Sequence, residues 1–151
     1  MKSLKHLLIF IPFLFLSLFL VKIYVPTEEV CLISERGCVC TPTPTVIKVE
    51  YIHSVQRIPI TEILIANSSG IFFTEMIWHD FGAGLPEEFD EFVNGSYVIR
   101  DKKYLGTEME YWFIPENNAT IILGSKVVDV NGLITLRVEK VSYLKHRLGR
   151  C

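Results

Sequence analysis

Hydrophobic positions in this chain follow two regimes. Leu7 to Val21 is an unbroken run without a charge, and allowing Lys22 it reaches Val25, 19 residues in all. About 20 apolar residues suffice to cross a bilayer, and a lysine near the end can lay its stem in the lipid with its ammonium at the headgroups. From Val46 the period becomes two. Ile47, Val49, Tyr51, His53 and Val55 fall on one side of a strand, and Lys48, Glu50 and Ser54 on the other. A second run, Ile58 to Ala66, breaks at Asn67-Ser68-Ser69-Gly70, which predicts a hairpin to a third run, Ile71 to Phe81. The third run is apolar on both faces, as a central, doubly covered strand would be. Strict alternation puts Phe72, Met76 and Trp78 on one face and Ile71, Phe73, Ile77 and Phe81 on the other.

Gly82-Ala83-Gly84-Leu85-Pro86 ends that run, and Glu87–Val93 reads as one or two helical turns, with Leu85, Phe89, Phe92 and Val93 on one face. Further strands are expected at Tyr97–Arg100, around Met109-Tyr111-Phe113, and from Thr120 to Val130. Turns are expected at Asp101-Lys102-Lys103 and Glu116-Asn117-Asn118. Asn131-Gly132 reads as a hairpin into Leu133–Tyr143. Short strands at regular spacing without a long amphipathic helix predict an all-β fold, an antiparallel sandwich or barrel-like domain, after one N-terminal transmembrane helix. The organisation expected is an anchor over 1–25, a juxtamembrane Cys/Pro segment over 26–45, in which Val30–Ser34 could form a first strand, a β domain over 46–145 and a basic tail over 146–151.

Charge gives the anchor an orientation. Lys2, Lys5 and the amino terminus precede the span, so the N-terminus is expected in the cytoplasm and residues 27–151 outside a cell membrane crossed once, with residues 4–25 in the lipid. A cleaved signal peptide is the competing reading, but no small-x-small site follows the run, and no lipobox precedes Cys31. The outer part holds twelve of the 15 Lys/Arg and all 17 acids, leaving five net negative charges. That excludes a nucleic-acid partner, which needs a basic face. Lys140, Lys145, His146, Arg147 and Arg150 form a local basic tail.

All four cysteines, Cys31, Cys38, Cys40 and Cys151, follow the anchor, and an even count outside the cytoplasm reads as disulfides. Three connectivities are possible. Cys31 with either Cys38 or Cys40 would close a hairpin over Ser34-Glu35-Arg36-Gly37, and a second bridge to Cys151 would pin the tail. A zinc site is the rival, but Cys38-x-Cys40 lacks the usual ligand spacing, so no metal is expected. Asn67, Asn94 and Asn118 each open an N-x-[ST] triplet, three of the five asparagines. They are glycosylation candidates, and in any case surface turns.

Candidate chemistry is sparse. His53 and Glu62 lie in otherwise apolar runs, and Glu75 and His79 share a side of the third run; a cluster of the four could form a small-ligand or metal-binding pocket. On one strand Glu75 and His79 would stand roughly 13 Å apart, so neighbouring strands must complete the site. Gly82 and Gly84 could offer backbone amides to an anion, yet the strand–loop–helix context of a phosphate loop is missing. His53 and Ser54 are adjacent and point to opposite faces of a strand, so a hydrolase pair is not supported. No catalytic residue and no cofactor is expected.

The order of the segments carries more than any one of them. Cys31-Leu32-Ile33 ends in a Gly37 turn; His53-Ser54-Val55 follows, then Glu62, then Gly82-Ala83-Gly84-Leu85-Pro86, and Leu133–Glu139 closes the domain. In this the chain resembles the family called domain of unknown function 1850 over about residues 30–144. The resemblance carries over to His53, Ser54, Glu62, Gly82, Gly84 and Pro86. It implies a small exported or membrane-anchored protein encoded beside tripartite ATP-independent (TRAP) transporters of the TAXI type, and hence an accessory role toward their subunits or solute-binding protein. The cysteine cluster and the N-x-[ST] triplets depart from the family pattern.

Overall fold

A computed structural model describes residues 11–19, 26–82 and 84–141. The β unit is Glu28–Glu139, and among the described residues 11–19, 26–27 and 140–141 group separately from it. Its strands are β1 (Thr27–Ser34), β2 (Gly37–Pro42), β3 (Thr45–Ile52), β4 (Pro59–Asn67), β5 (Gly70–Trp78), β6 (Glu91–Val93), β7 (Ser96–Gly106), β8 (Glu108–Phe113), β9 (Ala119–Leu123), β10 (Lys126–Val130) and β11 (Gly132–Val141). A single 3-10 turn, Pro115–Asn117, precedes β9. The strands form a four-stranded sheet, β2-β1-β11-β8, and a seven-stranded one, β10-β9-β3-β4-β5-β7-β6. The pairs β1–β2, β8–β11, β9–β10, β3–β9, β3–β4, β4–β5, β5–β7 and β6–β7 run antiparallel.

The sheets close on one apolar core. Val30, Leu32, Ile134 and Leu136 of one sheet meet Ile47, Val49, Leu64, Ile71 and Ile121 of the other. Each is a β-branched or γ-branched residue at alternate strand positions, the pattern two stacked pleated faces require. A smaller cluster of Ile60, Trp78 and Leu85 extends it under β5 and β7.

Several expectations change. The stretch 26–45 holds more than the expected first strand: β1 and β2 make half of the four-stranded sheet, with Cys31 directly opposite Cys40. Those two form a disulfide. Cys38 is disulfide-bonded as well, and Cys151 lies outside the described residues. Residues 87–93 are not helical. Seven residues are too few to hold a helix unaided, and Glu91–Val93 instead pairs with β7. Asp101-Lys102-Lys103 is no turn but a bulge inside β7, where Phe73 pairs with Lys103 and Glu75 with Arg100. The run Thr120–Val130 splits at Gly124, whose φ of +62° turns β9 back into β10. Asn131-Gly132 closes no hairpin: β10 pairs with β9 while β11 pairs with β8, so the chain changes sheet there.

Residues 11–19 are helical. No helix among the described residues is long and apolar enough to cross a membrane. Positions 1–10 and 20–25 of the expected anchor, and the expected basic tail over 146–151, lie outside the described residues.

Candidate functional site

Period two predicts that inward positions of β4 are apolar, and Ile60, Leu64 and Ala66 are buried there. Glu62 takes the same parity and breaks the rule. A carboxylate facing a core must find donors. Tyr51 Oη donates to Glu62 Oε1 at 2.9 Å, and Tyr111 Oη donates to Oε2 at 2.7 Å. Tyr51 stands on β3, diagonal to Glu62, since Tyr51 pairs with Ile60 and Val49 with Glu62. Tyr111 comes from β8, across the sandwich. Both phenols lie against Phe113, at 5.5 Å and 5.3 Å between ring centroids. Burial raises both phenol pKa values well above the ordinary tyrosine range, and the Glu62 charge and hydrogen bonds add to that. They therefore stay protonated donors at neutral pH. Both carboxylate oxygens are engaged, so the arrangement joins the two sheets and leaves no free oxygen facing a partner.

The four residues expected to share a pocket do not converge. Glu62 pairs with Met76 and Ile63 with Glu75, which puts Glu62 and Glu75 on opposite faces of the sheet. The cause is a β-bulge: the register shifts between Ile63 and Leu64, where Thr74 is extra. Strict alternation would have turned Glu75 inward with Ile71 and Phe73, but the extra residue re-aims the rest of the strand. The inward set of β5 becomes Ile71, Phe73, Met76 and Trp78. Glu75 instead pairs with Arg100 at 2.7 Å on the outer face. His79 sits with Nδ1 3.4 Å from the Pro59 carbonyl and Nε2 3.2 Å from Ser96 Oγ. His53 Nδ1 accepts the Gln56 amide at 3.2 Å, within its own turn, and Ser54 beside it is exposed.

Topology nonetheless gathers the two distinctive segments. Ile52 pairs with Pro59, Trp78 with Tyr97 and Val93 with Ser96, so the loops after β3, after β5 and after β6 share one end of the seven-stranded sheet. Asn117 Nδ2 donates to the Ile52 carbonyl at 2.7 Å, bringing the 3-10 turn to the same end. Gly82 packs on Gln56 so closely that a Cβ there would lie 2.0 Å from the Gln56 amide nitrogen. The Gln56 side chain thus lies over Gly82 and joins the His53–Gln56 turn to the Gly82–Pro86 loop. Leu85 N donates to the Gly82 carbonyl at 3.0 Å. Gly84, with φ +83°, takes the third position of that turn, where a side chain would be strained. Pro86 follows Leu85, which buries into the smaller core cluster. At the opposite end, Thr45 pairs with Ala66, and the Thr43 amide donates to the Glu28 carbonyl at 2.9 Å, where β1 begins.

Of the asparagines of the N-x-[ST] triplets, Asn94 and Asn118 lie in turns and Asn67 ends β4 at the edge of one. Asn94 and Asn118 are exposed with φ of +53° and +44°, at the loop-bearing end. Asn67 Oδ1 accepts the Ser69 amide at 2.8 Å at the other end. Among the described residues one grouping has metal-ligand geometry: ligand atoms of Glu29, Cys31 and Cys40 lie within 4.8 Å of one another. The two sulfurs are bonded to each other, so they are not the thiolates a metal needs.

Tyr111 and Gln56 escape a reading by residue type. The available signal is Glu62 itself, a carboxylate at core parity that demands two donors.

A family model described as a domain of unknown function, DUF1850, matches residues 47–130. The match takes in His53-Ser54-Val55, Glu62 and Gly82–Pro86, and leaves out the β1–β2 hairpin and β11. No curated protein and no solved structure matches the chain.

Proposed function

We propose that this chain, which belongs to the DUF1850 family, is a membrane-anchored extracytoplasmic module that serves as a non-enzymatic accessory of a TAXI-type TRAP transporter. The observation that carries the reading is topological. The His53–Gln56 turn and the Gly82–Pro86 loop meet at the end of the sandwich opposite Glu28, where the chain enters from its N-terminal segment. That end is the surface the module would offer to a transporter subunit or solute-binding protein.

The N-terminal segment supports the tether. Residues 11–19 are apolar but for Ser17, and all are exposed, with Phe13 at 72% and Phe15 at 69%. A helix apolar on every side needs a covering that water does not supply, and lipid supplies it. The Cys31–Cys40 disulfide fits an oxidising compartment. The transporter link rests on the gene neighbourhood that the family resemblance implies.

The test is affinity purification of the tagged full chain from gently solubilised native membranes, with a separate portion of the same membranes washed in alkaline carbonate. Retention in the washed membrane and recovery of transporter subunits are expected. Release by carbonate would overturn the anchor, and recovery of the chain alone would overturn the accessory role.

A further inference from the structure

Beneath the loop-bearing end lies a cluster of five aromatic rings. Tyr97 of β7 is surrounded by Phe81 at 4.4 Å, Phe92 at 4.8 Å, Phe89 at 4.9 Å and Trp78 at 5.8 Å between ring centroids. Trp78 is fully buried, and its indole N–H has no hydrogen-bond partner among the described residues. The outer rings are open to water: Phe81 is 40%, Phe89 43% and Phe92 58% exposed, and Val93 beside them is exposed too. Such side chains on a surface segment are costly in water unless something covers them.

The patch is fixed in place. At one end of the segment Leu85 is buried in the smaller core cluster. At the other, Asp90 Oδ2 accepts the Arg100 amide at 2.6 Å, and Glu91 pairs with the Arg100 guanidinium at 3.0 Å. A surface held this way loses little entropy on binding. Its rings touch one another, so they form a filled face for a protein rather than an open cage for a small ligand.

The rim decides the occupant. Glu87, Glu88, Asp90 and Glu91 are all exposed along the same segment. Glu87 and Glu88 have no ion pair among the described residues. An anionic lipid surface would be repelled by them. A second copy docked about a two-fold axis would bring the same acids face to face. We infer that the Phe81/Phe89/Phe92/Tyr97 patch with its acidic rim is the docking surface for a partner protein whose contact face is apolar at its centre and rich in Lys/Arg at its edge. The inference rests on the accessory reading only for where that partner resides.

The experiment places a photo-crosslinking residue at Phe92 of the full chain in native membranes, with Trp112, 71% exposed on β8 of the other sheet, as the control position. The crosslinked peptide is then sequenced. An adduct from position 92 and not from 112, on a Lys/Arg-rich peptide of another protein, is expected. Its yield should fall at least about tenfold in the Glu87→Lys/Glu88→Lys variant, since facing like charges cost more than the 1.4 kcal/mol that a factor of ten represents. Both changes are at exposed positions, so circular dichroism should match the parent.

An adduct to lipid, to a second copy or to an acidic or neutral peptide overturns the inference, as does a yield indifferent to the charge reversal. No adduct from position 92 while affinity purification still returns transporter subunits overturns this surface and leaves the accessory role standing. A basic partner that is no transporter component upholds the surface and removes that role.

Discussion

Replacing Glu62 by leucine separates two roles that its position combines, filling the core and accepting hydrogen bonds. Leucine suits an inward site between Ile60 and Leu64, so the apolar packing of β4 survives. What disappears is the acceptor for Tyr51 and Tyr111. A donor left buried without a partner costs about 1–3 kcal/mol, and more is at stake when the lost partner is charged. Two phenols are orphaned, while the burden of holding a carboxylate between sheets is relieved. The balance is a loss of about 2–3 kcal/mol. Combining Glu62→Leu with Tyr51→Phe and Tyr111→Phe removes donors and acceptor together, and exchange of both partners for apolar groups is close to neutral. The triple variant should therefore be more stable than Glu62→Leu alone, although it carries more changes. Urea unfolding of the full chain in detergent, followed by circular dichroism at constant m-value, measures both. A Glu62→Leu loss under about 0.5 kcal/mol, the usual range for an inconsequential surface change, would refute the idea that this contact holds the sheets. So would a triple variant no more stable than the single one.

Three other expectations follow from the same geometry. Both phenols have pKa values raised above 10 in the folded chain, so the stability they contribute is fully present below pH 10 and is lost as pH rises from there toward their folded values. The decline should approach about 1.4 kcal/mol per pH unit for each tyrosine, and Tyr51→Phe/Tyr111→Phe should flatten it in unfolding curves between pH 9 and 11. The Cys31–Cys40 bridge spans a sequence separation of 9, and closing so short a loop is worth about 2.5 kcal/mol; Cys31→Ala/Cys40→Ala should lower the urea midpoint accordingly, and no change would show that the hairpin is held by its sheet alone. Gly70 has φ +134°, and a Cβ there would lie 2.5 Å from the Gly106 carbonyl oxygen, whereas at Gly95, φ +81°, it meets nothing. Gly70→Ala should cost more than the roughly 1 kcal/mol typical of a positive-φ position, and Gly95→Ala less than Gly70→Ala, with thermal melts deciding the order.

How far the sequence reaches depends on the range of the cause. The turn at Asn67-Ser68-Ser69-Gly70, the strands around Ile47–Tyr51 and Met109–Phe113, and the all-β class follow from local pattern, because alternation and turn residues act over two to four positions. The meeting of Gly82 with Gln56 was foreshadowed only as two motifs in one order. The Glu62 cluster was half legible: its carboxylate stood out, while its donors lie 11 and 49 residues away.

By itself the sequence determined the alternation, the apolar N-terminal run, the cysteine supply and the odd carboxylate at core parity, all properties of near neighbours along the chain. Only the tertiary structure decided the rest. The bulge at Thr74 turned Glu75 outward, pairing with β7 drew Glu91–Val93 into a strand, and the crossing at Gly132 sent β11 to the other sheet. Each of these depends on which strand lies alongside. That choice is set by burying a shared core between two sheets, a cooperative property of the whole unit that no short window of sequence contains.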